Sequence, residues 1–521
     1  MSPSDVPPSE DPSPPQRRTG RLGPAFAGVT AAALGLASAE VVAGLRADLR
    51  SPVLDVGDRA VDNVPPFVKD LAIEWFGTQD KLALLIGIGV TLAIYAAVVG
   101  WVALRRSLRI GLAGIALFGV IGSLAALGAR TGASLISPLP SLIGAAVAGA
   151  ALWSFTLESA PSTAPAVSDD RRRFVAQGGL FLIAATSLTA IGRSLAARFS
   201  AADSRAAITL PTPNRAAPAV ATSASATNAA SFFTPNADFY RIDTALSVPQ
   251  VRAEDWELRV TGMVDRELRL DFNDLLNRSL EEHDITLTCV SNTIGGELIG
   301  TARWLGIRLD DLLVEAGVDP AADQIVGRSV DGYTCGFPTA ALDGRDALVA
   351  IGMNGEPLPL EHGFPARLIV PGIYGYASAT KWLTEIELTR FDEFDHYWVP
   401  RGYAAEAPIK LQSRIDTPRG LDRIAPGPFV IGGVAWHQPF GIEGVEVRID
   451  DQDWQPAVLA DEVNGSTWRQ WSLPWDATPG RHSIQVRAIS RNGAIQTPDR
   501  SEPLPDGATG HHTVVVLVDE A

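Results

Sequence analysis

Five long apolar runs crowd the first 200 residues of this 521-residue chain. They lie at about Pro24–Leu45, Leu82–Leu104, Ile110–Ala129, Leu135–Leu157 and Phe174–Ala197. Each approaches the roughly 20 residues that carry an α-helix across a bilayer. A segment in lipid must satisfy its backbone internally, so the pattern predicts an N-terminal α-helical transmembrane domain of five spans over 21–199. Residues 1–20 are rich in Pro and Ser and are expected to be disordered. Five such runs so close together argue against buried helices of a soluble core.

Orientation follows from the arginines beside the runs. Arg17, Arg18 and Arg21 precede the first; Arg105, Arg106 and Arg109 fill the second connection; Arg171, Arg172 and Arg173 precede the fifth. The longer 46–81 connection is mixed in charge, and the connection after the third run has only Arg130. With the dense clusters inside and an odd number of spans, everything after Ala197 is expected on the outer, extracytoplasmic face. The stretch Asp170-Arg171-Arg172-Arg173-Phe174-Val175 also has the form of a twin-arginine export signal, read against simple positive-inside anchoring.

All seven histidines (283, 362, 396, 437, 482, 511 and 512) lie beyond the apolar runs, which excludes haem held by paired histidines between the spans. Two cysteines exclude a disulfide scaffold, a self-contained iron–sulfur protein and a zinc ribbon. A mean hydropathy of +0.12 beside a formal charge of −16 fits a greasy part joined to an acidic one, and no basic stripe points to nucleic acid. The expected contact of the first part is membrane lipid.

Residues 200–230 are rich in Ala, Ser, Thr and Pro and predict a flexible linker. Short strands and helices follow, giving an α+β catalytic domain over 231–404 with helical segments at Phe272–Leu276 and Leu309–Ala316. Over 405–521 short alternating strands separated by Gly, Pro, Asp and Asn predict an immunoglobulin-like β-sandwich, with Trp436, Trp454, Trp468, Trp471 and Trp475 as core and interface anchors.

One cysteine stands where chemistry is expected. In Thr286-Leu-Thr-Cys289-Val-Ser-Asn-Thr-Ile-Gly295-Gly296, a strand delivers a thiol to a loop of glycines and small polar residues, where a ligand can approach the backbone. A lone cysteine at a strand end also suits a small buried hydrophobe. A Cys/His protease signature is absent around it.

Four separated segments carry a resemblance: FFTPNADFYRID, TLTCVSN with GTARWLG, MNGEPLPLEHGFPARLIVPG, and SATKWL. Together they resemble the molybdopterin domain of the sulfite oxidase family, and the GGVAW, VEVRID and HSIQVRA segments resemble that family's C-terminal dimerisation sandwich. The resemblance covers about residues 230–521. It implies a molybdenum–molybdopterin cofactor with Cys289 as the protein's metal ligand, a soft thiolate suited to molybdenum. It implies cofactor contacts from Phe239, Tyr240, Arg241, Asp243, Asp331, His362, Arg367, Ala379, Thr380 and Lys381. Arg241, Arg401 and Tyr403 match catalytic positions beside the metal, where guanidinium groups suit an oxyanion. Asp243 departs from the family, which commonly has a histidine there, and this sets sulfite itself in question. Cys335 matches no metal position and is read as a core residue.

The resemblance therefore implies a molybdenum-dependent oxygen-atom transfer, most simply sulfite to sulfate. A separate cytochrome or membrane redox protein would take the electrons, and the C-terminal domain would form a homodimer. Reduction of an S- or N-oxide such as methionine sulfoxide is the alternative. A non-catalytic, membrane-tethered binding protein is the reading from another class, and metal analysis separates it.

Overall fold

The computed structural model describes residues 22–63, 80–128, 134–157 and 167–520. The segment expected to be disordered, 1–20, and Arg130 lie outside them. The chain divides into two compact units, Met1–Arg198 and Phe199–Ala521.

In the first unit, five helices among the described residues are long and apolar enough to cross a membrane. They belong to the helices Leu22–Ala43, Asp80–Arg105, Leu108–Leu127, Leu139–Leu157 and Val167–Ala197. The first of these packs on the second, fourth and fifth. Glycine permits that approach: a Cβ on Gly28 would fall 2.0 Å from the Ala96 carbonyl oxygen, and one on Gly35 2.5 Å from that of Gly144. Small residues of this kind are the usual contact between apolar helices, because packing rather than water drives their association. Two features differ from the sequence reading. The 46–81 connection, read only for its charges, contains a helix at Pro52–Asn63, with Arg50 bonded to Asp58 at 2.6 Å and Asp55 buried. Arg171–Arg173 sit inside the helix Val167–Ala197 rather than in a connection before it.

The second unit begins with two sheets over one core. One runs Glu281–Thr288, Ile299–Arg308, Leu348–Met353 and Glu356–Pro357, with Arg367–Ile369 also paired to Leu348–Met353. The other runs Leu268–Asp271, Glu257–Gly262, Leu383–Thr389, Gln324–Ser329 and Thr334–Pro338, with Glu257–Gly262 and Leu383–Thr389 parallel. Local chemistry sets the helices. Asp271 and Asp274 exchange backbone and side-chain hydrogen bonds in a capping box that starts Phe272–Leu276. Gly317, at φ +71°, ends Leu309–Ala316 in the left-handed conformation. Leu258, Leu275, Trp304, Phe337 and Leu368 fill the shared core. Cys335 is fully buried there, and burial pushes its thiol up to about 11.

The C-terminal part is rich in β-sheet. One sheet orders Gln412–Thr417, Gly427–Trp436, Arg469–Ala477 and Val458–Leu459; the other orders Arg423–Ile424, His512–Val518, Gly480–Ser490, Ile442–Ile449 and Gln455–Pro456. Ile431, Val447, Trp471, Val486 and Val516 form its common core. Trp436, Trp468 and Trp471 are buried, whereas Trp454 is half-buried with the guanidinium groups of Arg448 and Arg487 over its ring.

The flexible linker expected at 200–230 is instead a strap laid on this unit. Arg205 donates to the carbonyls of Leu358 (2.8 Å) and Pro357 (2.7 Å). Asn214 and Leu280 bond each other, and Arg303 donates to the Pro218 carbonyl at 2.7 Å. The Gln470 amide takes the Ala226 N–H at 2.7 Å and donates to the Ala230 carbonyl at 2.6 Å. Small side chains let the backbone lie close, and these distant partners, unseen in the local composition, satisfy it.

Candidate active site

The strand Glu281–Thr288 is buried along its final six residues and ends at Cys289. The Cys289 N–H donates to the Leu298 carbonyl at 2.9 Å, and its carbonyl accepts from the Asn292 N–H at 3.0 Å. The Asn292 side chain accepts from the Leu298 N–H at 2.9 Å, closing the loop on itself. The thiol is 6% exposed. Burial raises its pKa, opposed by hydrogen bonds from Ser291. A cation that replaces the proton relieves that burial, as metal sites do.

Cys289 lies on the wall of a cleft of about 750 Å³. Phe239, Tyr240, Asp243, Asp331, His362, Arg367, Ala379 and Lys381 all line it. Phe239 seats on Gly300, where a Cβ would meet its ring at 2.9 Å, and it meets Trp304 and His362 edge-on. Asp331 accepts the Tyr333 N–H at 3.1 Å, an Asx turn that holds the carboxylate at the cleft.

The cations differ in how they are held. Arg367 is 5% exposed; it donates to the His362 carbonyl at 3.1 Å and lies over the Trp304 ring. Its Nε has no hydrogen-bond partner, and among the described residues no carboxylate pairs with it. Burial lowers its pKa to about 10, so the guanidinium remains charged at neutral pH. Lys381 donates to Asp243 at 2.8 Å and to the Glu361 carbonyl at 3.2 Å. Burial, partly offset by Asp243, brings its pKa to about 8. The same Asp243 oxygen accepts from Arg241 Nε at 2.9 Å. The carboxylate that set sulfite in question is thus engaged by two cations.

His362 Nε2 lies 3.0 Å from the Asn236 carbonyl, which only accepts, so Nε2 carries the proton and Nδ1 is left as an acceptor. Burial first, then Arg367, lowers its pKa to about 4. His396 and His512 are likewise brought to about 4 by burial. Between pH 6.5 and 4 the unfolded chain therefore takes up protons that the folded chain refuses, so stability falls as pH falls through that window. The slope is about 1.4 kcal/mol per pH unit for each such histidine. Urea unfolding of the full chain in detergent at pH 6.5, 5.5 and 4.5 should show this decline. His362→Gln should make it shallower, and an unchanged slope would refute the assignment.

Arg241, Thr380, Arg401 and Tyr403 stand outside the lining. Arg241 turns its fork to Asp243. Thr380 is fully buried against Gly327. Arg401 lies over the Tyr397 ring at 3.7 Å, and Tyr403 sits behind Trp398 and Tyr376. Tyr333, Tyr376, Trp382 and Trp398 line the cleft without having been singled out in the sequence. Tyr333 and Trp382 neighbour motif residues, which was the available signal. Trp382 has φ +50°, a sparsely populated conformation for a bulky residue, held by its indole N–H to the Leu360 carbonyl at 2.8 Å.

The residues fit a cofactor that brings its own donors. Among the described residues no cluster of three or more His, Cys, Asp or Glu could hold a metal. One buried thiol offers a soft ligand, and one buried guanidinium with an unpartnered Nε offers a seat for an anionic group.

Comparison with known proteins agrees. Residues 245–398 match the family described as oxidoreductase molybdopterin binding domain. Mitochondrial sulfite oxidase of Homo sapiens is 29% identical over 323 residues, covering 52% of this chain and 58% of that one. The uncharacterized oxidoreductase YuiH of Bacillus subtilis (strain 168) is 33% identical over 148 residues, covering 28% of this chain and 72% of that protein. The crystal structure of the sulfane dehydrogenase SoxCD from Paracoccus pantotrophus aligns with a TM-score of 0.49 at 23% identity, over 56% of this chain and 85% of that one. The chain spans little more than half the length of the human relative. With its thiol, its cations and the sequence likenesses in view, the chain belongs to the sulfite oxidase family of molybdopterin-dependent oxidoreductases, and molybdenum–molybdopterin is its cofactor.

Proposed function

We propose that this chain catalyses a two-electron oxygen-atom transfer in which sulfite or a related small oxyanion is oxidised on the outer face of a membrane. One observation carries the reading: the Cys289 thiol is buried in a cleft that also holds a guanidinium without a carboxylate partner. The bound cofactor supplies the two-electron couple and the transferable oxygen. Cys289 supplies the thiolate ligand. Arg367 receives the cofactor's phosphate, and His362 accepts at Nδ1 from a polar ring edge. Tyr240 and Trp398 exclude water from the wall. Arg241, Arg401 and Tyr403, which stand outside the cleft lining, are assigned to the oxyanion by the family resemblance. Sulfite and water give sulfate, two protons and two electrons, and the electrons leave to a separate cytochrome or membrane redox protein.

Reduction of an S- or N-oxide is the second reading, and Asp243 favours it. Because this carboxylate is engaged with both Arg241 and Lys381, the cleft offers less positive charge to a dianion. Assaying the full chain with sulfite and an artificial acceptor, and with methionine sulfoxide and a reduced dye, separates them. Sulfite should be the better substrate. Arg241→Met or Arg401→Met should lower its kcat/KM by roughly ten- to hundredfold, the loss of one charge-assisted contact. Preference for the neutral sulfoxide, unaffected by either substitution, would overturn the first reading.

The five apolar helices serve as the membrane anchor in this proposal, and the C-terminal sheets form an immunoglobulin-like sandwich through which two copies associate. Molybdopterin proteins acquire their cofactor in the cytoplasm, so the second unit must cross the membrane already folded. Arg171 and Arg172 then act as an export signal as well as topological charge. A receptor that reads the arginine pair distinguishes it from lysine, whereas positive-inside orientation does not. Arg171→Lys with Arg172→Lys should leave the second unit inside intact cells, protected from added protease. A protease-accessible, active second unit in that variant would reduce the pair to topological charge.

A further inference from the structure

We propose that the C-terminal β-rich region seats the thiolate loop, with His512 and Arg414 as positioning residues for Cys289. The inference rests on the reading of Cys289 as the metal ligand and adds a role for a region otherwise assigned to association between copies.

The loop from Cys289 to Leu298 has little side-chain volume with which to hold itself. Gly295 takes φ +75°, and a Cβ there would fall 2.3 Å from the imidazole of His512. The ring therefore lies directly on the loop backbone. The Ile415 N–H fixes its orientation by donating to Nδ1 at 3.0 Å. Arg414 donates from Nη1 to the Gly296 carbonyl at 2.9 Å. Its Nε is bonded to Asp416 at 2.6 Å, and Asp416 accepts the Ala230 N–H of the strap at 2.8 Å. Next along the loop, Ile294 packs under Gly510, where a Cβ would meet its Cδ1 at 2.9 Å.

The strand side of the cysteine is held from the same region. Three residues before Cys289, the Thr286 N–H donates to the Ser466 carbonyl at 3.0 Å. Its hydroxyl accepts from the Trp468 N–H at 2.8 Å, and its carbonyl accepts from Gln438 Nε2 at 3.2 Å. Cys289 is thus bracketed on both sides by contacts from residues beyond 410. Neither His512 nor Arg414 lines the cleft, so each acts through the loop.

Thiol accessibility in the full-length, cofactor-free chain tests this, because Cys289 and Cys335 are the only cysteines and Cys335 reports general opening. His512→Ala, by losing the ring packed on Gly295, and Arg414→Met, by losing a hydrogen bond from a charged group, should each speed alkylation of Cys289 by about tenfold, while Cys335 stays protected. Arg414→Lys, which keeps a donor, should restore most of the protection. Val516→Ala, in the core of the same strand as His512, should leave Cys289 slow. In the loaded enzyme, the first two variants should also shift the electron paramagnetic resonance signature of Mo(V), and Val516→Ala should not. Equal acceleration of both thiols, equal effects from Val516→Ala, or no acceleration would overturn the proposal. Absence of molybdenum from the wild-type chain would instead overturn the ligand reading, and the alkylation contrast would still decide the seating of the loop.

Discussion

Cys289→Ser should abolish oxygen transfer and lower molybdenum occupancy of the full chain. Among the described residues no cluster of protein ligands could substitute for the thiolate. A serine hydroxyl is a harder donor that matches molybdenum less well. Losing an outer-sphere partner of a metal site already costs roughly ten- to hundredfold in affinity or activity, so losing the ligand proposed at Cys289 should exceed about a hundredfold. The strand and loop should survive the change, since the side chain is of similar size and the Cys289 backbone bonds to Leu298 and Asn292 do not involve sulfur. Metal analysis by mass spectrometry, with loss of thiolate-to-metal charge-transfer absorption, checks the outcome. Full activity in the serine variant would refute the assignment.

The elements that the sequence revealed are those whose causes are local. Asp271 and Gly317 immediately flank the helices that they start and end, and Asp274 lies in the first turn, so the causes of Phe272–Leu276 and Leu309–Ala316 are adjacent in sequence. The alternation in Gly480–Ser490 and His512–Val518 likewise shows which face is buried. The strap is not legible in the sequence because its partners are remote: Arg205 meets Leu358 153 residues on, and Asn228 meets Val430 202 residues on. An Ala/Ser/Thr/Pro composition is common to tethers and to chains laid flat on a surface. At the site, the resemblance to the sulfite oxidase family named Cys289, Asp331, His362, Arg367 and Lys381, and all five line one cleft. It could not show that Arg241 turns to Asp243, a side-chain choice set by the buried carboxylate and Lys381. Tyr376 and Trp398 escaped notice because aromatic residues beside a core carry no sign of which cavity they face.

Arg303→Met should destabilise the second unit by about 3–5 kcal/mol, because it strands a buried carboxylate. Asp284, on the strand that delivers Cys289, is paired in register with Arg303 on the neighbouring strand. Its side chain is 1% exposed and receives both Nε and Nη2 of Arg303 at 2.8 Å. This bidentate geometry is what allows the charges to be buried together, since each alone would lose its hydration without compensation. The same guanidinium holds the Pro218 carbonyl, so the strap should loosen with it. Replacing both partners, as Asp284→Asn with Arg303→Met, removes the uncompensated charge and should recover much of the loss. The comparison isolates the pair from the strap, because both variants lack the bond to Pro218 but only the single variant leaves a lone carboxylate. Urea unfolding of the three full-length proteins in detergent measures the difference, and proteolysis near residue 218 reports the strap. If the double variant were as unstable as Arg303→Met alone, the stranded carboxylate would cost nothing, and the loss would lie in the strap alone.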